Sequence, residues 1–302
     1  MVDVFILGAG FSKSLSRHMP TLSDLGQQFL ANDRFEAVRE ETNLLKAFAL
    51  QLDNRTTSAV DVEKLLTYLA QDQPYLRQDI TYKNRSTFFK LVDALTQSLL
   101  EIEDKVVDED PPQWLLPLIK KWENDDATVA TFNDTLIERA YLRLIKDESR
   151  RDRTHRSIYG VPITPAEARR GFTWSEGGGE AFTYLKMHGS LNWFYSGAES
   201  FYGEPVYDLP LLAWGQDIPE GYAERRGEFV RLNVPDKVPL VLPPATDKSL
   251  WLNNEILRGQ WLTLGDSLRM ADRVIAVGYS LPQTDTLNTS FLLPPVSIAR
   301  WS

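Results

Sequence analysis

Val4-Phe5-Ile6-Leu7-Gly8-Ala9-Gly10-Phe11-Ser12 is the stretch on which the fold turns. Four consecutive apolar residues with β-branched and aromatic members read as a central strand buried on both faces of a parallel sheet. The glycines that follow permit a tight turn and let backbone N–H groups approach a pyrophosphate where the next helix begins. The third glycine of the dinucleotide fingerprint is missing, so taken alone the motif reads equally as a tight turn. The apolar run is far too short for a signal peptide and has no basic leader.

Working outward, residues from about Asp24 to Trp122 carry helical patterning. Phe88, Leu91, Val92, Leu95 and Leu99 repeat at helical spacing, with Ser86 or Thr87 as the expected cap. Leu65, Leu66 and Leu69 form another stripe, and Trp114, Leu115, Leu118 and Trp122 a third, with Pro111-Pro112 marking a break between helices. Such stripes are core rather than chemistry. A strand is expected over Thr128 to Phe132, running into Asn133-Asp134 and a helix with Leu136, Ile137, Ala140 and Tyr141. Phe182 to Met187 offers a third strand with His188-Gly189 at its carboxyl end. Leu240 to Leu242 and Val274 to Val277 offer two more, the last preceded by a helix around Ile256 to Met270 and followed by Gly278-Tyr279-Ser280. The aromatic, proline-containing stretch between Asn192 and Pro239 has no assigned structure.

Strands separated by helices imply a Rossmann-like α/β fold, a parallel sheet with helices on both faces, and ligand sites beyond the carboxyl ends of its strands. The 302 residues are read as one domain, 1–302, with a helical insertion over about 24–122. A net charge of -9 disfavours a nucleic-acid partner. The cluster Arg150, Arg151, Arg153 and Arg156 reads as a solvated face. The absence of cysteine removes disulfides, thiolate nucleophiles and Cys-ligated zinc, and fits a reducing, cytoplasmic setting. No segment reaches membrane-spanning length without charge.

His188 is one of three histidines and stands where an expected strand gives way to a loop, a placement that suits a pocket. A lone histidine is also often structural, and Asn133 reads equally as a helix cap. Taken in order, Gly8-Ala9-Gly10-Phe11-Ser12, Thr131-Phe132-Asn133-Asp134-Thr135, Lys186-Met187-His188-Gly189-Ser190-Leu191-Asn192-Trp193 and Val277-Gly278-Tyr279-Ser280-Leu281-Pro282 form one series.

That series resembles the bacterial sirtuin-like family, closest to its divergent branch in antiviral defence proteins, where a helical module replaces the zinc-bearing one. The resemblance spans nearly the whole chain. It implies an NAD glycohydrolase in which Gly8, Ala9, Gly10, Phe11 and Ser12 hold the pyrophosphate. Asn133 and His188 would flank the nicotinamide ribose, Asp134 would contact the nicotinamide amide, and Gly278, Tyr279 and Ser280 would contact the adenosine side. It also implies a homo-oligomer, or a partner such as an Argonaute-like protein or a ring-shaped ATPase, with no cofactor beyond NAD as substrate.

Three departures qualify this. The family usually places a residue between the asparagine and the aspartate that adjoin here. A four-cysteine zinc module cannot form without cysteine, which counts against protein deacylation. The family continues into a further strand, whereas this chain is expected to close on Leu292-Leu293-Pro294-Pro295 and a short, truncated or atypical tail. A module that binds NAD or ADP-ribose and signals without catalysis is the alternative reading.

Overall fold

The computed structural model describes residues 2–21, 24, 62–71, 73–132, 135–170, 181–197, 203–242, 254–279 and 298–301. The expected site residues Asn133, Asp134 and Ser280 lie outside them, as does the tail around 292–295.

The opening apolar run forms β1 (Asp3–Leu7), buried at every position. It pairs in parallel with β2 (Thr128–Thr131) on one side and β8 (Arg273–Val277) on the other. β4 (Thr183–Lys186) continues beyond β2, and β9 (Ile298–Trp301) beyond β8, all in parallel. The order β4-β2-β1-β8-β9 therefore reverses between β1 and β8. β9 corrects the expectation that no strand follows β8, since four residues of the short tail join the sheet edge.

Side-chain alternation places helices on both faces. Val4 and Ile6 of β1 share one face with Ala130, Leu185 and Val274, and pack there on Leu264 and Leu268 of α7 (Glu255–Met270). Asn254 caps α7, its side chain accepting from the Ile256 and Leu257 amides at 3.0 and 3.3 Å. On the other face Phe5 meets Trp122 of α4 (Leu115–Asn124), with ring centroids 5.6 Å apart. Trp122 is fully buried and also meets Phe11 of α1 (Ala9–Leu15) and Phe182. Removing the Trp122 side chain would cost about 3–5 kcal/mol by the scale of large core truncations. α5 (Leu136–Asp147) follows β2 and packs on α4.

The stretch without an assigned structure contributes to a second, four-stranded sheet, ordered β3-β6-β5-β7. It contains β3 (Thr164–Pro165), β5 (Gly189–Tyr195), β6 (Tyr207–Asp208) and β7 (Val238–Val241), with α6 (Tyr222–Asn233) between the last two. β7 thus runs antiparallel to β5 instead of joining the parallel sheet. Two-residue strands and a bulge between Ser190 and Phe194 leave too little regular alternation to read from sequence.

The chain divides into two compact units, 1–19 with 102–241 and 249–302, and 20–101 with 242–248. The expected helical insertion is split between them. In the second unit α2 (Val62–Ala70) buries Leu65, Leu66 and Leu69. α3 (Gln78–Val107) runs from the second unit into the first, while α4 belongs to the first. α3 starts at Gln78 rather than after Ser86 or Thr87, because no Gly or Pro interrupts residues 78–86. Among the described residues no helix is long and apolar enough to cross a membrane.

The edge of β1 is tied to β8 by Asp3, whose carboxylate accepts from Arg273 Nε at 2.8 Å. That hydrogen bond holds the Asp3 carboxyl below its ordinary value against the opposing effect of burial. A lowered folded-state pKa stabilises the fold above the unfolded value near ~3.9, and the contribution is lost as pH falls through the folded value. Urea midpoints of the parent and Asp3→Asn should therefore differ by a constant amount above about pH 4 and converge below it. A gap unchanged down to about pH 2 would contradict this linkage.

Candidate functional site

Where the strand order reverses, the turns after β1 and β8 interlock. The Gly8 amide donates to the Val277 carbonyl at 3.0 Å, extending the ladder, and the Gly10 amide donates to the Gly278 carbonyl at 2.9 Å. Gly278 has φ +62°, and a Cβ there would lie 2.1 Å from the Phe11 nitrogen. A Cβ on Gly8 would meet the Gly278 carbonyl oxygen at 2.4 Å, and one on Gly10 would meet Gly278 Cα at 2.9 Å. Only glycine lets two backbones approach this closely. The turn thus spends two amides on protein contacts, and of the first three only the Ala9 amide has no partner among the described residues. Ala9 and Gly10 reach the surface, whereas Phe11 and Ser12 are buried, Phe11 against Trp114 and Trp122.

Beside this interlock the carboxyl ends of β2, β4 and β8 bring three rings together. Phe132, next to Asn133, stacks on Tyr279 with centroids 5.1 Å apart and planes 11° apart. His188 meets the Phe132 ring nearly edge-on at 5.0 Å. Phe132 and Tyr279 also pack on the Val4/Ile6 core layer, so the group is anchored to the sheet. His188 is half-buried. His188 and Tyr279 are therefore gathered at one edge with the Gly8–Gly10 turn. The N-cap position of α5 is Thr135. Thr135 is fixed by Glu103, which accepts from its amide at 2.9 Å and from its hydroxyl at 2.5 Å.

The other polar residues of the Lys186–Trp193 string point into the protein. Lys186 is fully buried and pairs with the equally buried Glu138 of α5. Its ammonium also donates to Ser190 Oγ at 2.5 Å. Ser190 in turn donates to Asn192 Oδ1, and Asn192 Nδ2 donates to Asp208 Oδ1 at 2.6 Å. Asp208 lies 2.7 Å from His155 Nε2 and accepts from Arg156 at 3.1 Å. Burial, reinforced by the charges of Asp208 and Glu138, pushes the Tyr159 phenol far above its ordinary pKa, so it stays neutral and can donate to Glu138. Ser190 lies within reach of a lysine, as a nucleophile would, but complete burial keeps this network structural.

Phe132 and the Glu138–Lys186 pair were missed as site features in the sequence. A lysine inside the apolar stretch Phe182 to Met187 was the available signal, since Lys is almost never fully buried unless paired. Of the arginine cluster, Arg151 is exposed, as a solvated face would have it, while the other three are engaged. Arg150 and Arg153 bond to Glu123, and Arg156 to Asp208. An open groove of about 500 Å³ beside α4 and α5 has its charges already matched, Lys120 with Glu148 and Lys121 with Asp125. Among the described residues no group of three or more His, Asp or Glu side chains could hold a metal ion.

The chain matches no protein-family model and no curated protein.

Gly278→Ala forces a side chain into the left-handed region and against the Phe11 nitrogen. Denaturant titration should show a loss of at least ~1 kcal/mol, the lower end of the cost of such backbone strain. Unchanged stability would mean that the two turns do not interlock as described.

Proposed function

We propose that this chain is an NAD glycohydrolase that breaks the nicotinamide–ribose bond at the edge formed by His188, Phe132 and the Asn133 loop. The observation that carries the reading is a half-buried histidine seated against the residue before Asn133, beside the glycine interlock at the strand-order reversal. Crevices at such reversals are where open α/β sheets take nucleotides. The sirtuin-like order of motifs supplies the bond to be broken.

In this reading the pyrophosphate lies over Ala9 and Gly10, since the Gly8 and Gly10 amides already have carbonyl partners. Tyr279 and Gly278 border the adenosine side with Ser280. The flat Phe132–Tyr279 stack provides an apolar wall. The bond between ribose C1′ and the nicotinamide nitrogen breaks with its electron pair going to the nitrogen, leaving an oxocarbenium-like carbon. Water adds at C1′, its proton passes to His188 and then to solvent, and the products are nicotinamide and ADP-ribose. A neutral imidazole accepts that proton at its unprotonated ring nitrogen. Asn133 orients the water or a ribose hydroxyl without changing charge, and Asp134 contacts the nicotinamide amide. Depletion of NAD in antiviral defence, triggered by self-assembly or by a partner, is the role the resemblance attaches to this chemistry.

Chromatography of NAD incubated with the purified protein and candidate activators should show equal amounts of nicotinamide and ADP-ribose. His188→Ala should keep the fold and lower nicotinamide release by at least ~100-fold, the scale of a lost acid–base group. An unchanged rate in that variant would remove His188 from the reaction. NAD binding with no nicotinamide from the parent would leave a signalling module instead.

A further inference from the structure

We infer that Lys186 is a positioning residue for His188, holding the imidazole-bearing turn at a fixed distance from the helix that follows Asn133. The inference deepens the NAD-hydrolysis reading and rests on it for the role of His188.

His188 stands in the middle of a short turn between β4 and β5, and each side of that turn is tied down. On the β4 side the Lys186 amide donates to Gln260 Oε1 of α7, and the Met187 amide donates to the Thr131 carbonyl at 2.9 Å. On the β5 side Gly189 adopts φ +75°, with its Cα so near β7 that a Cβ would lie 2.0 Å from the Leu240 carbonyl oxygen. The Lys186 ammonium closes the turn from beneath by donating to Ser190 Oγ. The same ammonium bonds to Glu138, in the first turn of α5, three residues after Thr135. One point charge thus links both flanks of the His188 turn to the helix that begins just after Asn133-Asp134.

A neutral side chain could fill the Lys186 volume, and packing alone does not demand a charge. Replacing a buried ion pair by apolar residues of similar size is often neutral or stabilising, because desolvation offsets the Coulombic gain. The directional bonds are what the apolar alternative would lack. Reaction geometry rewards such fixing, since a misplacement of ~1 Å can cost ~100-fold in rate.

The test is the double variant Lys186→Met/Glu138→Leu, which removes both charges and leaves neither unpaired. With folding verified by circular dichroism, kcat for nicotinamide release should fall at least ~10-fold with KM nearly unchanged. The His188 ring resonances, assigned by comparison with His188→Ala, should shift or broaden. Parental kcat and parental ring resonances in a folded double variant would overturn the inference. If the parent releases no nicotinamide, the hydrolysis reading fails, and the ring resonances alone then decide whether Lys186 positions His188. Should the double variant not fold, Ser190→Ala cuts one of the two ammonium bonds and is judged by the same two readouts.

Discussion

The close approach of the turns after β1 and β8 is the constraint on which the rest of this architecture depends. A parallel sheet whose order reverses between two neighbouring strands opens a crevice there, and each strand must end in a turn that leaves the other room. Here both turns are glycine, and the backbones meet directly, the Gly10 amide on the Gly278 carbonyl. That contact fixes where α1 begins and carries Tyr279 across to Phe132. It also limits what the turn can offer a ligand. Two amides that the motif suggests for a phosphate are already satisfied by carbonyls, which shifts attention from the glycine turn to the ring group beside it.

Beneath that ring group lies a second, opposite kind of constraint. The string Lys186 to Trp193 sends His188 towards solvent and sends Lys186, Ser190 and Asn192 into a buried polar chain that ends at Asp208 and His155. Buried charges cost several kcal/mol each in desolvation, and pairing only repays this when the geometry is good. Each ionised member here has an opposite charge in contact, Glu138 for Lys186 and Arg156 for Asp208. The network ties α5, β4, β5 and β6 together, so the parallel sheet and the second sheet share one buried polar seam.

The parallel sheet was legible because its strands are written as buried strands must be. Val4 to Leu7 and Thr128 to Thr131 are buried on both faces, Val274 to Val277 buries Val274 and Ala276, and each ends in residues that break regular structure. β3, β6 and β9 were not legible, since strands of two to four residues carry too little periodicity, and β5 is interrupted by a register shift between Ser190 and Phe194. At the site, Gly8, Gly10, His188 and Gly278 could be picked out because glycine and histidine are informative at strand ends. Phe132 could not, since a phenylalanine ending an apolar strand looks like core. Phe11 and Ser12 illustrate the reverse, belonging to the motif yet turned into the core. The Glu138–Lys186 pair is a tertiary contact between residues 48 apart, which no local pattern encodes.

The proposed NAD site is bordered by His188, Phe132 and the Gly8–Gly10 turn. The most direct measurement is a crystal structure of His188→Ala bound to intact NAD. The account predicts the nicotinamide ribose beside position 188 and the Phe132 ring, with the pyrophosphate over Ala9 and Gly10. NAD seated elsewhere on the protein, with this edge unchanged, would contradict it.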